Sequence, residues 1–273
     1  MRIALLTLEA LANARAVRRF VAADPGRIAL IGLSDPFRAE KGGALGQTWA
    51  RLKVSGPRLL PYLFLNFSLP RIAGALPRRP ADEPEATPLR HLAERHGIPA
   101  EIVGDVNAEG FRARLAASGA DVIVTFHFDQ ILKAETIAAA RLGGLNVHPG
   151  LLPDHRGPVP TIHALLDDPI RLGVSIHRLV PKIDAGGLVA QQGLPDDGRF
   201  TALSAAARLH EEAIPLLERA LRNLSAGRLA ETSLPLLPYR GFPTRAELAR
   251  LSAKGRRAAG WNDVATAIAT PMS

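Results

Sequence analysis

Residues 143–192 read GGLNVHPGLLPDHRGPVPTIHALLDDPIRLGVSIHRLVPKIDAGGLVAQQ, in which strand-like runs are separated by a proline-rich loop and a short helical run. Asn146 and His148 lie two residues apart at the end of the first run, so on an extended strand their side chains point to the same side. Two prolines and a glycine remove residues 149–153 from helix and sheet pairing. The pattern predicts a polar site at a strand end, beside a shaped loop.

The second half of the stretch adds another polar position. A short helix is expected near residues 159–166 and a strand at residues 173–179. Asp184 then lies in a second turn. An Asx-turn before Gly186 would explain this aspartate structurally, and membership of the strand-end site would explain it functionally.

Three motifs in this stretch resemble the catalytic core of the folate-dependent formyltransferases, which use 10-formyltetrahydrofolate as formyl donor. The family pattern is Asn-x-His-Pro-x-Leu-Leu-Pro-x-x-Arg-Gly, then a Gly-Val-Ser/Thr-x-His strand, then Asp-x-Gly, and this sequence carries each part in order. The resemblance implies that Asn146, His148 and Asp184 are the catalytic residues. Gly150 stands where the family usually has serine, a departure that should loosen the loop without removing a catalytic group.

The resemblance also implies positions for the two substrates. It places a folate-contacting segment at residues 126–132, whose apolar side chains can sandwich a flat pteridine. Arg156 and Gly157 are expected to contact the acceptor. Arg156 could instead have a structural role, in which its guanidinium donates hydrogen bonds within the loop. The residues expected to bind the cofactor are Phe128, Gln130, Ile131, Leu132 and Ile183.

Formyl transfer to an amine needs a donor for the developing oxyanion, a proton source for the leaving nitrogen and a proton acceptor for the amine. Asn146 can donate to the oxyanion, and His148 can add a second hydrogen bond and exchange protons near neutral pH. Asp184 would hold His148 protonated or oriented and, through a water, take the proton of the amine. This chemistry requires neither a metal nor a covalent intermediate.

Composition argues against several other site classes. The chain has no cysteine, which excludes disulfides, thiolate metal sites and cysteine nucleophiles. His155, His163 and His177 could form a metal cluster with His148, but no His-x-x-x-His pair or cysteine supports it, so we expect no metal. A serine hydrolase would need Gly-x-Ser-x-Gly, which is absent. The N-terminus shows no signal-peptide pattern, so we expect a cytoplasmic protein.

Strand-like and helix-like runs alternate along the chain. Residues 2–7 and 28–34 read as strands around a helix at residues 9–22, an opening that predicts a parallel sheet. The alternation predicts a doubly wound, mostly parallel, Rossmann-like α/β sheet of the formyltransferase type with a small C-terminal appendage. Residues 7–13 contain no glycine, so the dinucleotide fingerprint is absent.

Two regions outside this alternation are expected to be loops. Residues 42–46 predict a flexible loop, and the proline-rich residues 76–88 predict a linker or surface loop. We expect a catalytic domain at residues 1–223 and a small extension at residues 224–273, weakly ordered from residue 256.

The formal net charge of +8 raises the question of a nucleic-acid partner. The basic residues are spread along the chain, only five are lysine, and no basic run is interleaved with aromatic residues. We therefore expect no nucleic-acid partner.

The resemblance narrows the acceptor. Family members that formylate glycinamide ribonucleotide carry a glycine-rich first loop, which residues 7–13 lack. Methionyl-tRNA formyltransferases add a C-terminal domain, for which too few residues follow Asn223. A small-molecule amine is favoured, either an amino sugar nucleotide or a hydroxylated amino acid. A 10-formyltetrahydrofolate hydrolase stays open as the alternative, and the two disfavoured acceptors remain as further alternatives.

Residues 56–76 (GPRLLPYLFLNFSLPRIAGAL) are unusually apolar. Pro61 and Pro70 interrupt the stretch, and no apolar run reaches membrane-spanning length, so we expect no membrane contact. Something must cover these side chains in a folded protein. We expect this insertion to pack over the amine-side mouth of the cleft, as a wall of the acceptor pocket or as a homodimer contact, with a remote core extension as the alternative.

Overall fold

The computed structural model describes residues 1–35, 43–76 and 83–272. Its strands form a seven-stranded sheet in the order β3-β2-β1-β4-β5-β6-β7. Strands β1 to β5 are parallel, and β6 and β7 are antiparallel to their neighbours. The strands are β1 (Ile3–Thr7), β2 (Ile28–Ser34), β3 (Ala100–Val103), β4 (Val122–Phe126), β5 (Gly144–His148), β6 (Leu172–Arg178) and β7 (Leu188–Leu194).

Helices connect and cover these strands, and the predicted doubly wound, mostly parallel α/β fold is confirmed. The central strands are continuous apolar runs because helices cover both faces of a parallel sheet. The described helices are α1 (Ala14–Ala23), α2 (Gly43–Ser55), α3 (Leu60–Leu63), α4 (Leu69–Ala75), α5 (Leu89–Arg95), α6 (Glu109–Ala117), α7 (Ala134–Ile137), α8 (Pro160–Leu166), α9 (Ala202–Ser225), α10 (Arg245–Ala253) and α11 (Trp261–Ala269).

Alternate side chains along each strand pack into hydrophobic clusters on opposite faces of the sheet. Leu145 and Val147 belong to a cluster with residues of α1, α5 and α9 on one face. On the other face, Ile123 belongs to a cluster with Phe111 of α6 and Leu132. Asn146 and His148 alternate with Leu145 and Val147, so they project on the second face. Both side chains line a cleft.

Local structure differs from the sequence prediction at two places near the N-terminus. The first helix begins at Ala14, because the Asn13 carboxamide accepts from the Ala10 N–H and donates to the Thr7 hydroxyl, which folds the preceding residues into a turn. The predicted loop at residues 42–46 is helical from Gly43 onward, and residues 36–42 lie outside the described residues. Residues 77–82 of the predicted linker also lie outside them.

The expectation of weak order from residue 256 is wrong. Residues Trp261–Ala269 form α11, which packs against α4. The Met272 N–H donates to the Pro70 carbonyl, and Ala267 and Met272 are buried in a cluster with Leu65. The sequence pattern missed this because the partner of α11 is the insertion, far away in the chain. The domain boundary at residue 223 stays a prediction.

The insertion at residues 56–76 is a nearly continuous helical segment. A short turn (Pro57–Leu59) leads into α3, then a π-helical turn (Phe64–Ser68) and α4. Pro61 and Pro70 fall in the first turn of α3 and of α4. In the part of the chain that the structure describes, no helix is long and apolar enough to cross a membrane.

Candidate active site

Asn146 lies near the end of β5 between two polar neighbours in the sheet, Thr125 on β4 and His177 on β6. Its carboxamide oxygen accepts from the Thr125 hydroxyl at 2.5 Å, and its nitrogen lies 2.9 Å from His177 Nε2. His177 Nδ1 lies 2.9 Å from the Arg178 carbonyl oxygen and so carries the proton, which leaves Nε2 to accept from Asn146. The amide orientation is thereby set, and its second N–H has no partner among the described residues.

His148 ends β5 and is buried. Its Nε2–H donates to the His155 carbonyl at 2.8 Å, so in the neutral ring Nδ1 is the unprotonated nitrogen. Nδ1 lies 3.7 Å from an Asp184 carboxylate oxygen. Burial lowers the pKa of His148, and the opposing effect of Asp184 does not restore it to the ordinary value. The structure therefore favours a neutral His148, whose ring is oriented by its hydrogen bond to the His155 carbonyl, with Asp184 placed to stabilise the protonated form.

Asp184 reaches the same place from the loop between β6 and β7. One carboxylate oxygen lies 3.5 Å from His177 Nε2 and 3.7 Å from His148 Nδ1. The other accepts from the Gly157 N–H at 3.0 Å. Burial alone would raise the pKa of Asp184, but the Gly157 N–H and the histidines, which favour the carboxylate whenever either ring is protonated, bring it to about 2, so the group is a carboxylate. Its φ of 47° is rare for a residue other than glycine and indicates that the surrounding structure enforces the turn.

Arg156 is buried, and its guanidinium donates to the backbone carbonyls of Ile183, Asp184 and Leu237. These three bonds are those of the structural hydrogen-bonding role that the sequence left as the alternative. Two of them end in the Asp184 turn, so Arg156 holds that turn in place. Its contact with the acceptor stays a prediction.

Gly157 lines the cleft and supports Asp184 through its N–H. Its φ is 136°, and a Cβ at this position would lie 1.9 Å from the Arg240 carbonyl oxygen. Glycine is therefore required by the close approach of the Arg240 backbone. Its acceptor-binding role stays a prediction, and its contact with Asp184 is the role that the structure describes.

All five expected cofactor residues line the same cleft as the catalytic three. Ile131 and Ile183 are 52% and 38% exposed, and Leu132 is buried. The Gln130 carboxamide is occupied: it accepts from the Val106 N–H and donates to the Val103 carbonyl. Gln130 thus stabilises the segment between β4 and α7, and the apolar residues around it form the surface that faces the cleft.

The cleft has a volume of about 1460 Å³ and contains Asn146, His148, His177 and Asp184 in its lining. The sequence analysis named three of these four as catalytic, and His177 only as a motif residue and a possible metal ligand. The antiparallel pairing of β5 with β6, which sets His177 opposite Asn146, was the missing information. Among the described residues, no group of three or more histidine or acidic side chains could hold a metal ion.

His127 also lines the cleft, at the end of β4. Its φ is 48°, and its ring centroid lies 6.1 Å from that of Phe67 in the insertion. Burial lowers the pKa of His127 to about 4, so the ring is neutral. His127 therefore marks the point where the insertion meets the end of the sheet.

The family model and the relatives that match this chain are formyltransferases by name. Residues 86–221 match the model of the formyl transferase family. Over 160 residues the chain is 37% identical to the methionyl-tRNA formyltransferase of Rhodopirellula baltica, which covers 56% of this chain and 48% of that protein. Over 174 residues it is 34% identical to the enzyme of the same name from Herpetosiphon aurantiacus, covering 62% of this chain and 57% of that one. The chain thus spans about half the length of these relatives.

Solved structures share the fold. A sugar N-formyltransferase from a Shewanella species superposes with a TM-score of 0.55 at 18% identity, covering 98% of this chain and 87% of that chain. A glycinamide ribonucleotide transformylase from Symbiobacterium toebii gives 0.55 at 20% identity, covering 86% and 94%. An N-formyltransferase from Helicobacter canadensis, in complex with folinic acid and dTDP-3-aminofucose, gives 0.54 at 12% identity, covering 89% and 71%.

Proposed function

The chain belongs to the formyl transferase family through residues 86–221, and on that premise we propose that it transfers the formyl group of 10-formyltetrahydrofolate to a primary amine. The observation that carries the proposal is the linked group of Asn146, His177, Asp184 and His148 in one cleft. It combines an oriented amide donor, a neutral imidazole and a buried carboxylate. Acyl transfer to an amine needs these groups.

The cleft fits a folate donor. Phe128, Ile131 and Leu132 on one segment and Ile183 on another offer apolar surface to a flat ring, and two of them are exposed in the structure. These residues would hold the donor, with backbone groups of the same segments available for its polar edge. When bound, the donor supplies an electrophilic formyl carbon.

Each catalytic group has a distinct task. The second N–H of Asn146 donates to the formyl oxygen as negative charge develops on it. The unprotonated Nδ1 of His148 takes a proton from the attacking amine, and Asp184 stabilises the imidazolium that results. The imidazolium then gives this proton to the folate nitrogen as the bond between that nitrogen and the formyl carbon breaks. His177 keeps the Asn146 amide in its orientation.

We propose a small molecule as the acceptor, with amino sugar nucleotides and hydroxylated amino acids as the classes to screen first. The sugar formyltransferase folds superposed above support this choice at the level of the fold. The relatives of higher identity are by name methionyl-tRNA formyltransferases, so tRNA belongs in the same screen. A reaction without amine measures hydrolysis of the donor by water.

Donor binding can be tested with 5-formyltetrahydrofolate, a stable substitute for the donor. Calorimetry should give a saturable heat, and Phe128→Ala should weaken binding at least tenfold, because the ring loses an apolar partner. Trp49→Ala is the control: it removes an aromatic side chain that is 62% exposed and does not line the cleft. Absence of both heat and thermal shift at saturating ligand would count against the proposal.

A further inference from the structure

The cleft is larger than one ligand requires. Its volume of about 1460 Å³ exceeds the roughly 300–1,000 Å³ of a typical small-molecule site. Two separate apolar clusters border it. Phe128 and Leu132 belong with α6 and α7 residues to one cluster, whereas Leu65 and Val159 belong to another, which includes residues of α8 and α10. The cleft therefore has a donor side and a second, differently built side.

The second side is an apolar wall made by the insertion and by α11. Phe64 and Trp261 line the cleft and are 47% and 83% exposed, and Phe67 reaches His127 at the end of the sheet. Exposed aromatic side chains that line one cavity indicate a binding surface. We call this surface the apolar wall, and its members are Leu60, Leu63, Phe64, Phe67, Trp261 and Val264.

Cations are few on this side of the cleft. The lysine and arginine residues in the described lining are Lys182, Arg51 and Arg257. Lys182 adjoins Ile183 on the donor side, and the Arg51 guanidinium lies 3.6 Å from the centre of the Phe242 ring. Arg51 and Arg257 are the cations in the described lining on the acceptor side. A nucleoside diphosphate is normally held by several charge-assisted hydrogen bonds, which this wall does not offer.

We propose that the acceptor is a primary amine that carries an apolar substituent, an alkyl chain or a hydrophobic ring, and that this substituent lies on the apolar wall. The inference rests on the proposed function and, among small-molecule acceptors, ranks apolar amines ahead of the amino sugar nucleotides. The wall is continuous with the cleft that holds Asn146 and Asp184, so an amine at the catalytic residues has its substituent directed toward Phe64 and Trp261.

The test uses a series of n-alkylamines, from ethylamine to octylamine, titrated into the protein saturated with 5-formyltetrahydrofolate. Each methylene that enters the wall should tighten binding by up to about fourfold, so affinity should rise along the series. Phe64→Ser should flatten this rise and leave ethylamine binding unchanged. Ile72→Ser is the matched control: Ile72 is 53% exposed, lies on α4 of the same insertion and does not line the cleft.

Other outcomes overturn the proposal separately from the function. If 5-formyltetrahydrofolate binds but affinity does not depend on chain length, or Ile72→Ser flattens the rise as much as Phe64→Ser, the apolar acceptor is wrong and the formyl transfer stands. If sedimentation shows a dimer that Phe64→Ser dissociates, a second copy of the chain covers the wall instead. If 5-formyltetrahydrofolate itself does not bind, it is the proposed function that fails.

Discussion

His148 and Asp184 form a coupled pair whose protonation can be read from the surrounding bonds. His148 gives its Nε2–H to a backbone carbonyl, and its other nitrogen faces the Asp184 carboxylate, which accepts from the Gly157 N–H. Burial sets the pKa of His148 below its ordinary value, while the carboxylate raises it. The residual effect of Asp184 on His148 is therefore measurable.

Asp184→Asn should lower the maximal rate and move the acid limb of the pH–rate profile to lower pH. The rate falls on acidification as His148 takes a proton, and removing the carboxylate removes the group that raises the pKa of His148. The imidazolium also loses its stabilising charge, so kcat falls. Profiles of kcat/KM against pH for both proteins check this, and an acid limb at the same or higher pH would contradict the coupling.

The sequence motifs identified the proposed catalytic side chains but not the contacts among them and their neighbours. Asn146, His148 and Asp184 follow from a motif because the spacing of motif residues is local. The role of His177 depends on which strand pairs with β5, and the role of Arg156 depends on carbonyls that come from distant segments. Such contacts are set by tertiary structure, so single-sequence reasoning could not decide between the two readings of Arg156.

The loop between β5 and α8 positions Asp184 through Gly157. Gly157→Ala places a Cβ 1.9 Å from the Arg240 carbonyl at a φ of 136°, so the loop or the Arg240 backbone must move. Asp184 then loses its N–H partner, and kcat should fall by about tenfold or more, a change of roughly 1.4 kcal/mol or more.

Gly104→Ala, in the loop after β3, is the control, because a Cβ there meets nothing within 4 Å and Gly104 does not line the cleft. It should leave both kcat and thermal stability close to wild type. Steady-state kinetics together with melting curves measure the two variants. Equal effects in both would show that the close approach at Gly157 does not support the site.

Elements were predictable where their pattern is local. The strands predicted at residues 2–7, 28–34 and 173–179 correspond within a residue to β1, β2 and β6, since apolar runs define them, and the short helix expected near residues 159–166 is α8. The start of α1 and the existence of α11 were missed. Asn13 folds the first turn through contacts with Thr7, and α11 packs on α4, so both depend on partners outside the local pattern.

A buried ion pair ties the N-terminal half of the molecule to its C-terminus. Arg18 is fully buried and donates to Glu9 at 2.7 Å, to the Glu85 carbonyl at 2.8 Å and to the Pro271 carbonyl at 2.6 Å. Glu9 in turn accepts from the Leu89 N–H at the start of α5. One side chain thus connects α1, α5 and the end of the chain.

Arg18→Met should lower the free energy of unfolding by roughly 3–5 kcal/mol, because it leaves Glu9 and two carbonyls buried without their partner. Arg19→Met is the control. Arg19 is half exposed and pairs with Glu85 at the surface, so its loss should cost at most about 1 kcal/mol. Urea unfolding of both variants measures the difference, and similar costs would show that the buried pair does not hold the ends together.

Formation of a formylated amine in the presence of 10-formyltetrahydrofolate is the direct assay of the proposed activity. Mass spectrometry should detect a formylated product from the screened amines with wild-type protein. Asn146→Ala should lower kcat by roughly 10²–10³-fold, the cost of losing one oxyanion donor, while 5-formyltetrahydrofolate still binds. No formylated product from any amine with folate bound, or an unchanged rate in Asn146→Ala, would contradict the account.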